Sequence, residues 1–201
     1  MIGWFYDLAA RRLERGELGD RRAALLADLE GDVLEIGAGT GANLRHYRSA
    51  ARVVALEPDP HMARRLPAKL AEATVPVEPV TGHAEELPFP DASFDAVVST
   101  FVLCSVEDAP RVLAEIRRVL RPEGRLVLLE HVRGTGRLAR WQDRLTGLHR
   151  RIAGNCHLNR DTRAAVAAAG FDAALVETVP IPGSHPLVRD GIQGVAIKTS
   201  S

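Results

Sequence analysis

Short apolar runs alternate along the chain with segments whose apolar residues recur every three or four positions. The runs at 32–36, 52–56, 77–81, 94–99, 125–130, 174–179 and 194–199 read as strands, being brief and bounded by turn residues. Helical patterns fall at 42–49, 60–73, 107–120 and 160–169, and residues 4–30 read as one or two further helices that bury Leu8, Leu13, Leu25, Leu26 and Leu29. The clearest is 107–120, where Val112, Leu113, Ile116, Val119 and Leu120 share one face of a 3.6-residue period. Arg121-Pro122-Glu123-Gly124 should end it, because proline cannot continue a helix and glycine accepts positive φ. The segment at 160–169 runs from an Asn159 or Asp161 cap to a stop at Gly170. Strands and helices in alternation predict an α/β fold around a mostly parallel sheet.

Residues 137–152 carry a different signal. Leu138, Trp141, Leu145, Leu148 and Ile152 recur at helical steps, opposite Arg137, Arg140, Arg144, Arg150 and Arg151. Such a basic amphipathic helix packs on its own domain, covers a substrate pocket, or lies against an anionic membrane surface.

A chain of 201 residues suits one compact domain. With 46% hydrophobic and 26% charged residues, disorder is excluded. Lys plus Arg equals Asp plus Glu at 26 each, which removes the broad positive field of a nucleic-acid binder, and 4% aromatic residues are too few for base stacking. No window approaches the ~18 apolar residues of a membrane span, and no charged leader precedes an apolar block, so a cytoplasmic protein is expected. Cys104 and Cys156 lack CxxC spacing and are expected to be free thiols. No His pair, carboxylate cluster or Ser/His/Asp pattern has recognisable spacing, so no metal is expected.

The chemistry concentrates at "VLEIGAGTGANL", residues 33–44. The strand ends at Gly37, and Gly37, Gly39 and Gly41 let the backbone turn and approach a ligand at what should be a helix N-terminus. With Ala42 in the last place the loop also satisfies a loose G-x-G-x-x-G/A dinucleotide fingerprint, so a nicotinamide oxidoreductase is a rival reading. Glu35, two residues before Gly37, argues against it: a carboxylate there opposes a pyrophosphate and suits a cationic ligand. Glu57 falls twenty residues after Gly37, where a carboxylate can accept both ribose hydroxyls, and Pro58-Asp59-Pro60 fixes the turn after it.

Taken together, "LEIGAGTG", "ALEPDP", "GHAEELPFPDASFDAVVST" and "RRVLRPEGRLVLLEH" resemble, in order and spacing over 33–131, the class I S-adenosylmethionine-dependent methyltransferases. The resemblance implies a Rossmann-like three-layer sandwich on a seven-stranded sheet whose last strand is antiparallel, in one domain over 1–201, with 1–30 as a helical cap and 132–159 as a substrate-side insertion. It implies S-adenosylmethionine as cofactor and S-adenosylhomocysteine as product. Gly37, Ala38, Gly39 and Gly41 would approach the methionine and ribose parts, Glu35 and Asn43 would lie near the amino group, and Glu57 would take the ribose hydroxyls. Pro58 and Met62 would flank the adenine, Ala84 and Glu85 its amino edge, Thr100 and Phe101 the methionine moiety, and Tyr6 would close the pocket. A non-catalytic module that only senses the cofactor would carry the same motifs.

Methyl transfer from a sulfonium is an in-line displacement that needs alignment more than a catalytic constellation. His131, directly after a predicted strand at the ligand edge of the sheet, is the general-base candidate, with a usual pKa of ~6.5; His157 and Asp7 rank below it. "STFVLCS" contains no DPPY or NPPY quartet, which speaks against adenine or amide nitrogens and for a small, partly apolar acceptor. "GTGANLRHY", "TFVLCSVEDAPRVLAEIRRVLRPEG", "EHV" and "GNCHLNRDT" further resemble the branch that includes thiol S-methyltransferases, although the N-terminal membrane anchor of that branch is missing. That resemblance implies a thiol acceptor first and a lipid amine or quinone-like acceptor second.

Overall fold

The computed structural model describes residues 16–199, so Tyr6, Asp7, Leu8 and Leu13 lie outside the described residues. Seven strands form one sheet in the order β3-β2-β1-β4-β5-β7-β6: β1 (Gly31–Ile36), β2 (Ala50–Leu56), β3 (Val77–Val80), β4 (Phe94–Thr100), β5 (Leu120–His131), β6 (Phe171–Pro180) and β7 (Asp190–Lys198). β1 to β5 pair in parallel, and β7 runs antiparallel to both β5 and β6. All seven predicted runs are strands, and the antiparallel last strand is present.

The sheet is covered on both faces, which is why its central strands are nearly unbroken apolar runs. Along β1, Leu34 and Ile36 belong to one core cluster and Val33 to the other, as the two-residue period of a strand requires. The first cluster receives α4 (Ala109–Val119) through Val112, Leu113, Ile116 and Val119, all fully buried. Asp108 caps that helix by accepting the Arg111 amide at 3.0 Å. The second cluster packs Leu26 of α1 (Glu17–Leu26), together with Leu29, Leu44, Tyr47 and Leu66, against Val53, Ala55, Ala96, Val98 and Val127. Helices on two sides of one sheet give the three-layer sandwich.

Four expectations are corrected. Residues 42–49 hold only a 3-10 turn, Leu44–His46, because Tyr47 is already extended toward β2; the glycine loop therefore opens onto a turn, without an α-helix dipole behind it. The 60–73 helix is split into α2 (Pro60–Ala63) and α3 (Leu66–Leu70), since Pro67 can neither donate to the preceding turn nor fit inside it. In the Arg121-Pro122-Glu123-Gly124 turn the left-handed residue is Glu123, φ 59°, and not Gly124. Finally, α5 (Gly136–Ile152) forms as predicted, but Trp141, Leu148 and Ile152 on its apolar face are 52%, 61% and 76% exposed, while the helix buries Ala139 and Gln142. Gln142 is held there by accepting the Gly134 amide and donating to the Leu187 carbonyl. The last helix, α6 (Thr162–Ala168), is capped by Asp161 and stops before Gly170, as expected.

Candidate active site

Parallel strands place their C-terminal ends along one edge, and the predicted residues gather there: Gly37 to Gly41 after β1, Glu57 after β2, Thr100 and Phe101 at the end of β4, and His131 at the end of β5. A cavity of about 350 Å³ lined by Gly31, Asp95, Arg121 and Arg125 opens at the opposite edge and contains none of them. The topology favours the C-terminal crevice, where the sequence puts its unusual residues.

Gly37, Gly39 and Gly41 all have positive φ, between 58° and 83°. At Gly37 a Cβ would come within 2.6 Å of Val102 Cγ2, so glycine is needed for packing, whereas the space around a Cβ at Gly39 is open to 3.9 Å. Ala38 is buried, its amide bonded to the Leu56 carbonyl at 2.9 Å. Glu57, 5% exposed, spans the loop: one oxygen accepts the Gly39 amide at 2.7 Å and the other the Asp59 amide at 2.8 Å. Pro58 is half-buried and Met62 is exposed, at the rim and not in the core.

Glu35 is 1% exposed and accepts the Tyr47 hydroxyl at 2.8 Å and the Asn43 amide at 3.0 Å. Burial pushes its pKa up to about 7, against the opposing pull of those two hydrogen bonds and the Arg22 charge. Asn43 also donates to Thr100 Oγ1 at 3.0 Å and accepts Arg22 at 2.6 Å; Arg22 donates on to Thr100 and its guanidinium lies 5.6 Å from the Phe101 ring centroid. The predicted residues Glu35, Asn43, Thr100 and Phe101 are thus one linked group.

Phe101 is left-handed, φ 60°, a strained conformation for a bulky residue. The strain is held by Glu130, fully buried at the end of β5, whose carboxylate accepts Ser99 Oγ at 2.7 Å and the amides of Val102, Leu103 and Cys104 at 2.9, 3.0 and 3.3 Å. His131 follows directly, its ring 5.8 Å from Phe101 and its Nε2 within 3.7 Å of Cys104 Sγ and 3.4 Å of Cys156 Sγ. Both cysteines are free and buried. Burial lowers the His131 pKa, but the neighbouring Cys104 and Glu130 raise it further, to a net value above the usual one. The His157 backbone amide bonds the Cys104 carbonyl at 2.8 Å, while its buried Nε2 makes no hydrogen bond among the described residues.

Ala84 is buried and Glu85 half-buried in the segment between β3 and β4. That segment is pinned to α4: Arg118 donates to the Leu87 and Phe89 carbonyls and Glu115 accepts the Leu87 amide. Glu85 itself accepts the Glu107 amide at 3.3 Å.

Sequence reasoning missed Arg22, Tyr47, Glu130 and the convergence of the two cysteines on His131. A signal existed for two of them. Arg22 interrupts the apolar face that carries Leu18 and Leu26, and Glu130 is a charge inside the apolar run of a central strand.

The strand order, the glycine turn and the carboxylate after β2 define a nucleoside-binding α/β fold, and comparison with known proteins narrows it. Residues 34–128 match the family described as a methyltransferase domain. The thiol S-methyltransferase TMT1B of Rattus norvegicus is 34% identical over 95% of this chain and 83% of its own length. The phosphatidylethanolamine N-methyltransferase of Cereibacter sphaeroides is 37% identical over 59% of this chain and 60% of its own. The crystal structure of an S-adenosylmethionine-dependent methyltransferase from Mesorhizobium loti superposes with a TM-score of 0.67 at 20% identity, covering 92% of this chain and 99% of that one. The chain belongs to the class I S-adenosylmethionine-dependent methyltransferases, in the branch that includes the thiol S-methyltransferases. S-adenosylmethionine is its cofactor, and the nicotinamide reading is set aside.

Proposed function

We propose that the protein methylates the sulfur of a small, partly apolar thiol. The observation that carries this reading is the lining at the end of β5, where His131 sits between two thiols and beside the Phe101 ring. The similarity to thiol S-methyltransferases supports it. In the reaction the acceptor loses its S–H proton, its sulfur lone pair attacks the methyl carbon, and the C–S bond to the sulfonium breaks. The electron pair stays on the leaving sulfur, giving a thioether, S-adenosylhomocysteine and a proton. A thiol with a pKa near ~8.5 needs only modest help to ionise, and His131 is the group assigned to that help, alone as a base or with its sulfur neighbours.

On the cofactor side, Gly37, Ala38, Gly39 and Gly41 form the floor, Glu57 takes the ribose hydroxyls, and Glu35 with Asn43 sets the field at the amino group. Pro58, Met62, Ala84 and Glu85 border the adenine, Thr100 and Phe101 the methionine part. Residues 132–159 serve as the acceptor-side insertion. The exposed apolar face of α5 among its arginines is assigned to an anionic membrane surface, from which apolar acceptors are reached. A cytoplasmic location is part of this reading.

A lipid-amine acceptor is the second reading, favoured by that same α5 face and by the similarity to a phosphatidylethanolamine N-methyltransferase. Incubation with methyl-labelled S-adenosylmethionine and a panel of alkyl and aryl thiols, amines and phenols, read by mass spectrometry, separates the two. Labelled thioethers are expected; products on amines or phenols with none on thiols would overturn the thiol reading.

A further inference from the structure

We propose that Cys104, His131 and Cys156 form a zinc site whose fourth position takes the acceptor thiol. The site itself stands on geometry; only the identity of the fourth ligand rests on the thiol reading above.

One sulfur from each cysteine and one ring nitrogen lie within 4.8 Å of one another. Zinc bound tetrahedrally at ~2.3 Å from sulfur and ~2.05 Å from nitrogen holds sulfur and nitrogen about 3.6 Å apart. The Sγ to Nε2 separations are 3.4 Å for Cys156 and 3.7 Å for Cys104, and Cys156 Sγ is also 3.7 Å from Nδ1, so this sulfur lies over the ring and a side-chain rotation aims the Nε2 lone pair at the ion when it binds. The donor set is also selective: two thiolates and an imidazole favour a soft or borderline ion over magnesium or calcium. Three protein ligands with one position left for substrate is the arrangement of catalytic zinc.

The three ligands arrive from separate parts of the chain, 25 and 27 residues from His131, so no local spacing announced them. Each is nevertheless fixed. His131 ends a twelve-residue strand. Cys104 sits in the loop whose amides are gathered by Glu130. The Cys156 loop is stapled to that same loop twice, by the His157 amide on the Cys104 carbonyl at 2.8 Å and by Asn155 Nδ2 on the Ser105 carbonyl at 2.7 Å. Asn155 takes a left-handed turn, φ 63°, that presents Cys156 inward, where it is 4% exposed. Arg160 completes the arrangement by donating to the Leu103 and Val106 carbonyls. Two thiolates and a neutral imidazole cancel the charge of one Zn²⁺, and the buried Glu130 has Arg160 nearby to offset it.

Zinc lowers the pKa of a bound thiol and leaves the sulfur a nucleophile. The acceptor thiol releases its proton to solvent on binding, its sulfur takes the methyl group, and the neutral thioether, a weak ligand, departs. No electron is exchanged with the ion. In this arrangement His131 is a ligand and not a free base.

Cobalt(II) titration of the purified chain tests the site without any turnover. One equivalent should give a sulfur-to-cobalt charge-transfer band and the intense visible bands of a tetrahedral ion, and added benzyl mercaptan should shift the visible bands. Cys156→Ser should weaken zinc binding on the order of a hundredfold, and so should Cys104→Ser; binding of S-adenosylhomocysteine by each variant reports that it is folded. Absence of the charge-transfer band in the wild-type chain, or its persistence in the folded double variant, overturns the proposal. If thiols are methylated by a chain that binds neither ion, the zinc site fails and the thiol reading stands. If the ion binds, benzyl mercaptan leaves the spectrum unchanged and only amines are methylated, the thiol reading and the fourth-ligand assignment fail together while the ion site stands.

Discussion

The carboxylate of Glu57 accepts the backbone amide of Gly39 at 2.7 Å, so the acid after β2 and the loop after β1 are one unit before any ligand arrives. Its other oxygen accepts the Asp59 amide, which leaves each oxygen with acceptor capacity for a ribose hydroxyl. Glu57→Ala should weaken S-adenosylhomocysteine binding by about a hundredfold, two charge-assisted hydrogen bonds at ~1.5 kcal/mol each. It should also loosen the loop, lowering the unfolding midpoint. Titration calorimetry on the folded variant decides; near-wild-type affinity would remove Glu57 from the ribose.

Adjacent glycines in the same loop should fail in different ways. An added Cβ at Gly37 meets Val102 Cγ2 at 2.6 Å and Cγ1 at 3.1 Å, so the valine must shift to admit it. Gly37→Ala therefore combines left-handed strain of ~1 kcal/mol with overpacking of ~1 to 3 kcal/mol and should register chiefly in stability. At Gly39 the nearest atom is 3.9 Å away, so Gly39→Ala should cost only the strain, ~1 kcal/mol, while its methyl group occupies ligand space and cuts cofactor affinity tenfold or more. Denaturant melts and binding isotherms on the two variants, side by side, check the contrast.

How much of this was legible in the sequence depended on how local each interaction is. The glycine turn, Glu57 and the Asp161 cap act within a few residues or across one predicted crossover, so period and spacing revealed them. Glu130 serves amides 26 to 28 residues earlier in the chain, and Arg22 reaches Thr100 across 78 positions. Their roles exist only once the sheet has put β4 beside β5 and α1 beneath the loop. The 42–49 helix failed for the opposite reason: its local pattern was real, but the short distance from Gly41 to β2 and the demand for Tyr47 and Asn43 at Glu35 overrode it.

Glu35 makes the cofactor-free protein sensitive to pH. Its folded pKa is raised to about 7 from 4.5, so between those values the folded chain holds a proton that the unfolded chain has released. Stability is therefore greatest below ~4.5 with respect to this group and falls as pH rises through about 7, by ~3 kcal/mol at full ionisation. A cationic donor near Glu35 favours the ionised form, so S-adenosylmethionine binding should tighten from pH 5.5 to about 7 and release up to one proton per site in the lower part of that range. Above about 8 the ligand's own amine begins to lose its charge and the trend should stop. Glu35→Gln should flatten both profiles. Denaturation at several pH values and calorimetry in buffers of different ionisation enthalpy measure the two effects, and a slope unchanged in the variant would assign the titration elsewhere.

The exposed face of α5 should be the part of the protein that meets a membrane. Trp141, Leu148 and Ile152 stand in solvent on a helix that also exposes Arg137, Arg140, Arg144, Arg150 and Arg151, and the Arg144 guanidinium lies 5.8 Å from the Trp141 ring, a pairing suited to the headgroup region. The chain should sediment with vesicles containing anionic lipid at low salt and be released as salt rises, because the arginines supply a screened attraction. Trp141→Ser removes about 2 kcal/mol of apolar transfer and should weaken partitioning roughly thirtyfold, while methylation of a water-soluble acceptor stays near the wild-type rate. Failure of the wild-type chain to sediment at low salt would assign this face to another partner. Sedimentation that survives both high salt and the Trp141 substitution would place the membrane contact outside α5.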